Sequence, residues 1–87
     1  MKWEIVPDTY HHTETDEDGN VRYYDKKDQL HRTDGPAVEG ANGSKAWFVN
    51  GKHHRTDGPA IEWANGTKAW YVNGRKLTEE EFRGLHP

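Results

Sequence analysis

The heptapeptide His-Arg-Thr-Asp-Gly-Pro-Ala occupies residues 31–37 and returns at residues 54–60. Its side chains could hold an anion. Arg32 and Arg55 each carry a planar fork of donors suited to phosphate or carboxylate, and His31 and His54 stand beside them. Lys45 and Lys68 would join this ladder if they share its face, with Trp47 and Trp70 nearby for stacking. Rings for a base and cations for phosphates make a nucleotide-type pocket.

The same letters also describe a corner. Asp34 and Asp57 can accept hydrogen bonds from turn amides, Gly35 and Gly58 can take a φ that other residues resist, and Pro36 and Pro59 can fix the entry to a strand. Thr33 and Thr56 can cap the turn. The two readings are compatible. A catalytic reading comes from the paired His-x-Thr tripeptides at 31–33 and 54–56, which resemble the motifs of two-histidine phosphoesterases, where one histidine is base and the other acid. That family needs a larger fold with its motifs on separate lobes, so no catalytic residue is assigned and the protein is expected not to be an enzyme. Metal chemistry has little support. His11-His12 and His53-His54 are adjacent, and neighbours on a strand point to opposite faces. His31 and His86 stand apart, and no cysteine or HExxH motif exists. No metal and no cofactor are expected.

These residues are positioned by a repeat. Residues 31–53 align with 54–76 at 17 of 23 positions, and most substitutions keep their class, such as Val38/Ile61 and Phe48/Tyr71. A fixed period of this size marks stacked units. Another step back gives a degenerate copy over 19–30, with Tyr24 under Trp47. Asn-Gly recurs at 42–43, 50–51, 65–66 and 73–74, and such a pair favours a two-residue hairpin turn with φ > 0 at both positions. Between these turns, SKAWFV and TKAWYV alternate as strands, with Lys45, Trp47 and Val49 on one side and Ser44, Ala46 and Phe48 on the other. PAVEGA and PAIEWA are further strands opened by proline, and KHHR is a short third one. Thr78 and Glu81 match a capping box that starts a helix reaching about Gly84. The expectation is an all-β fold of stacked antiparallel β-hairpin repeats with a short C-terminal capping helix. It is one domain over 1–87: an N-terminal strand (Trp3, Ile5) and acidic, solvated loop over 1–18, the degenerate unit over 19–30, repeats over 31–53 and 54–76, and the cap over 77–87. A shared row of Tyr24, Trp47 and Trp70 forms its spine. Trp63, where the other copy has Gly40, is either an end filler or an interface anchor.

Bulk composition narrows the classes. Hydrophobic residues make up 31% of the chain, below the usual share of about 45–50%, so the core must be thin and built mostly of rings. The net charge of −3 argues against general nucleic-acid binding, which needs a basic face. The absence of cysteine fits a reducing compartment, and no stretch reads as a signal peptide or a membrane span. A cytoplasmic location is expected.

HRTDGPA, then NG, then WFVNG or WYVNG with a following basic residue and histidine, resembles the tandem MORN-like repeats of phage, giant-virus and bacterial proteins. It is also similar to the repeats of a group of bacterial antitoxin proteins. The likeness covers about residues 19–76 and implies β-hairpin stacks used for binding, in a phage or mobile-element setting. The leading expectation is a small inhibitor that blocks a host defence, in the host cytoplasm, by sequestering a nucleotide-type anion. The alternatives are a module that inhibits a host protein directly, and a structural repeat that self-associates as a homo-oligomer. Fold alone does not choose among them.

Overall fold

Asparagine followed by glycine bends the chain at four places, and the fold uses two different turns for them. In the computed structural model, which describes residues 9–85, Asn50 and Gly51 have φ of 54° and 80°, and Asn73 and Gly74 have 51° and 83°. These are two-residue hairpin turns of the expected kind. At 42–43 and 65–66 only the glycine is left-handed, with φ of 97° at Gly43 and 93° at Gly66. There Asn42 and Asn65 turn their Oδ1 atoms back onto the amides of Ser44 and Thr67, at 2.9 and 3.0 Å. Gly43 N donates to Gly40 O, and Gly40 N to Ser44 O. The expectation of φ > 0 at Asn42 and Asn65 is therefore corrected: the loops are one residue longer, and the asparagine works through its side chain.

Among the described residues there are nine strands: β1 (His12–Thr15), β2 (Val21–Tyr24), β3 (Val38–Glu39), β4 (Lys45–Ala46), β5 (Phe48–Val49), β6 (Lys52–His53), β7 (Ile61–Glu62), β8 (Lys68–Val72) and β9 (Arg75–Leu77). Seven form one antiparallel sheet in the order β1-β2-β3-β4-β7-β8-β9, and β5 pairs with β6 in a hairpin that carries the line of β4 onward past Trp47. The fold is all-β with one short helix, α1 (Glu79–Gly84), started by the capping box between Thr78 and Glu81. Residues 1–8, where the strand of Trp3 and Ile5 was expected, lie outside the described residues, as does His86.

Cross-strand partners point to the same side of a sheet. The register therefore sets Thr15, Val21, Glu39, Lys45, Glu62 and Lys68 in one row. Two residues along each long strand, on the same face, come Tyr23, Trp47 and Trp70. Tyr23 N donates to Ala37 O and Trp47 N to Ala60 O. The spine expected through Tyr24 is thus corrected to Tyr23. The turn after β2, in which Asp28 has φ of 62° and Asp25 N donates to Gln29 O, holds one residue more than the Asn50-Gly51 turn, so the first unit is offset by one. The rings do not stack on each other in a row either. Arg32 lies over Tyr23 (4.1 Å to the centroid), Arg55 over Trp47 (3.8 Å), and Phe82 of α1 against Trp70 (6.5 Å).

The slab measures 46 × 35 × 19 Å. Its buried apolar residues are Ala37, Ala60, Ala69 and Phe82. Alanines sit where the sheet passes beneath the corners, and the tryptophans at 47 and 70 are only half-buried. The acidic stretch before β2 is also more ordered than its composition suggests. Thr13 to Thr15 belong to β1. The Asp16 carboxylate accepts bonds from Asp18 N, Asn20 N, Asn20 Nδ2 and Arg22 Nη1. The Asn20 bonds, with help from Arg22, lower its pKa from 3.8 to about 2.

Candidate functional site

Each HRTDGPA corner is an arginine wrapped in its own loop. Arg32 Nε donates to Asp34 Oδ1 at 2.8 Å, and Nη1 reaches Pro36 O at 3.2 Å and Glu39 Oε2 at 3.3 Å. Arg55 does the same with Asp57 (2.9 Å), Pro59 O (3.0 Å) and Glu62 (3.1 Å). The ring below completes the enclosure, leaving the Arg32 and Arg55 side chains 18% and 20% exposed. Burial pulls the Arg32 pKa down, but the Asp34 bond and the charges of Asp34 and Glu39 help to hold it above the ordinary value.

Two expectations about the corner change. Gly35 and Gly58 are not left-handed. They are glycine because a Cβ would meet the guanidinium: at 3.0 Å from Arg32 Cζ for Gly35, and 2.9 Å from Arg55 Cζ for Gly58. Asp34 and Asp57 direct their Oδ1 atoms to the arginine Nε, where bonds from turn amides were expected. The histidines serve the corner as well. His31, buried, accepts from Asn50 N through Nδ1 (3.0 Å), and His54 Nδ1 accepts from Asn73 N (2.9 Å). Each locks the following Asn-Gly turn, and its Nδ1 is committed to that amide.

Between the corners runs an open groove of about 720 Å³, lined by Trp47 and Val49 together with Arg32, Asp34, His54 and Asp57, and by Thr33 and Thr56. Of the ligand residues expected from sequence, Arg32, Trp47, His54 and Arg55 meet here. Lys45 and Lys68 are exposed in the neighbouring row, where Glu39 and Glu62 flank Lys45 and Glu62 pairs with Lys68. Trp70 lies under α1. The electrostatics differ from those of an anion cradle. Each corner sets one guanidinium against two carboxylates, Asp34 and Glu39 or Asp57 and Glu62, and Lys45 and Lys68 stand beside Glu39 and Glu62 in the adjoining row, so every cation here is already matched by a carboxylate. The Asp57 side chain is 82% exposed and the Asp34 side chain 53%. The groove offers carboxylates, hydroxyls and a ring.

The opposite face carries a stack that the sequence did not announce. His53 sits between Phe48 (4.0 Å) and Tyr71 (4.9 Å), and its Nδ1 is buried without a hydrogen-bond partner. Burial lowers its pKa below the ordinary 6.5. The unfolded chain then takes up a proton that the folded one resists. Stability should be flat above pH 6.5 and should fall as the pH drops from there through the folded-state pKa. His53→Phe keeps the stack and should remove that part of the slope. Urea midpoints for both proteins at pH 7.5 and pH 5 check this, and equal slopes would contradict it.

The other adjacent pair departs from expectation. His11 precedes β1, and its Nδ1 lies 3.2 Å from His12 Nδ1, so the two imidazoles do not point apart. No group of three or more metal-ligating side chains forms among the described residues. No helix among them is long and apolar enough to cross a membrane. No family model matches the chain, and no curated protein or solved structure matches it significantly.

Proposed function

We infer that this protein is a non-enzymatic binding module, made of 23-residue hairpin units, that inhibits a partner protein by direct contact. The observation that carries the reading is the charge of the corners. A nucleotide phosphate entering the groove would meet two guanidiniums already shared among Asp34, Glu39, Asp57 and Glu62. A basic side chain from a partner meets the opposite: the exposed Asp34 and Asp57 carboxylates, with Val49 in the same lining for its aliphatic stem. The buried His31 and half-buried His54 favour a structural role over acid–base work, because their Nδ1 atoms hold turn amides. These features support the directly acting, antitoxin-like alternative implied by the resemblance over sequestration of an anion. A host protein of the cytoplasm, in a phage or mobile-element setting, remains the partner class that the resemblance implies.

Asp57→Asn is the discriminating variant, because the amide keeps an Oδ1 to accept from Arg55 Nε while the 82%-exposed side chain loses its charge. In a pull-down from host lysate, the wild-type protein should retain a partner that the variant loses at least tenfold. Thermal shift against nucleotides supplies the contrary result: a ligand at a hundred times its Kd would add about 2.7 kcal/mol, and such a gain, kept or enlarged in Asp57→Asn, would return the reading to an anion pocket.

A further inference from the structure

Among the described residues the sheet leaves two stretches of strand edge unpaired, the outer side of β1 and the Lys68–Ala69 part of β8, and they are built to fit each other. β1 stands to β2 as β3 stands to β4 and β7 to β8. Thr15 pairs with Val21, Glu39 with Lys45 and Glu62 with Lys68, and one residue further along Glu14 pairs with Arg22, Val38 with Ala46 and Ile61 with Ala69. The other edges of β3 and β7 pair with β2 and β4, through Val21–Glu39 and Lys45–Glu62. β1 has no strand on that side among the described residues, and Thr13, Glu14 and Thr15 are exposed. At the far end, the Lys68–Ala69 part of β8 is the counterpart of Val21–Arg22 and Lys45–Ala46, and no strand continues the sheet beyond it, since β9 pairs with β8 only from Trp70 onward. The helix α1 meets this end through Phe82 on Trp70, and Thr67 and Lys68 stay exposed.

We propose that the β8 edge of one copy takes the β1 edge of a second, so that copies add head to tail in the register that β2–β3 and β4–β7 already use within the chain. Strand direction allows it, because neighbours alternate along the sheet and β1 runs opposite to β8. Two further features fit. Lys45 lies between Glu39 and Glu62, whereas Lys68 has a glutamate on one side alone. The incoming Thr15 is flanked by Glu14 and Asp16 and followed by Glu17 and Asp18. Successive turns are also tied by a side-chain acceptor, Asn20 Oδ1 to Ala41 N (2.8 Å) and Ser44 Oγ to Ala64 N (3.0 Å). Thr67 carries the next acceptor in that series, and the incoming Glu17 amide takes the place of Ala41 N and Ala64 N. The contact is heterologous, so it can repeat from copy to copy, and each added copy extends the sheet. An exposed edge strand is a template for such pairing.

The chain has no cysteine, which gives a clean test. In the proposed register Thr15 of one copy faces Lys68 of the next, at a Cα separation of about 5.5 Å, within disulfide reach. Thr15→Cys and Lys68→Cys proteins, mixed and oxidised mildly, should form a cross-linked pair, while either alone should not. Light scattering on the unmodified protein should give a mass that climbs above the 10.1 kDa monomer with concentration. Thr15→Pro should return it to 10.1 kDa, since that amide faces the incoming copy and a proline is tolerated on an outer edge. A concentration-independent monomer would overturn the proposal, as would a Thr15→Cys protein that cross-links to itself or a Thr15→Pro protein that assembles as before.

Discussion

Replacing Arg32 and Arg55 together with alanine is expected to bring the protein to the brink of unfolding. Each substitution strands a proline carbonyl, uncovers a ring, and leaves two carboxylates facing each other without their cation. Removing one partner of a buried ion pair costs about 3–5 kcal/mol. The carboxylates here are partly solvated, so about 2–3 kcal/mol per site is the reasonable figure. The sites have separate partners and should add. Their sum, about 4–6 kcal/mol, is comparable with the whole stability of a chain this size. Urea denaturation should show the midpoint falling sharply for each single variant with little change in slope. Arg55→Lys should recover little of the loss, because an ammonium cannot serve Asp57, Pro59 O and Glu62 from one plane. If the arginines served an outside anion instead, the double variant would melt like the wild-type protein.

A second large effect is expected where the sheet passes under the corners. Ala60 has no exposed surface. Its N–H donates to Ala69 O, and its carbonyl accepts from Trp47 N, so the backbone cannot retreat without breaking the ladder. Ala60→Leu forces the added carbons against the ring and corner above. Overpacking of this kind costs about 1–3 kcal/mol, and the upper part of that range applies where the neighbour is a rigid sheet. For a domain this small the melting temperature should fall by roughly 10 °C or more. Ala64→Leu, on an exposed turn, should stay within about 0.5 kcal/mol of the wild-type protein. Thermal melts of the two side by side check the claim, and equal melting temperatures would refute it.

Much of this architecture was legible because it follows from local rules. Alternation along SKAWFV and TKAWYV placed Lys45 and Trp47 on one side, and the observed register agrees. The capping box at Thr78 and Glu81 is satisfied at both ends. What the letters concealed depends on where long side chains travel. Arg32 and Arg55 reach ahead two, four and seven residues to Asp, Pro carbonyl and Glu, and that path exists only once the corner has closed. A spacing of Arg-x-Asp followed by Glu five residues on could have suggested it. The glycines were read through backbone freedom, whereas Gly35 and Gly58 make room for a guanidinium. The one-residue slip of Tyr23 for Tyr24 arose from a longer turn whose composition gave no Asn-Gly marker.

The most direct test of the arginine-centred corner is solution NMR of the arginine Nε–H groups. Arg32 and Arg55 should show two Nε–H signals that exchange slowly with water, with contacts from the Arg55 side chain to the Trp47 indole and from Arg32 to the Tyr23 ring, and upfield shifts of the arginine methylenes. Two Nε–H signals exchanging as fast as those of a free arginine, with no ring contact, would mean that the guanidiniums face solvent and that the corner is held by something else.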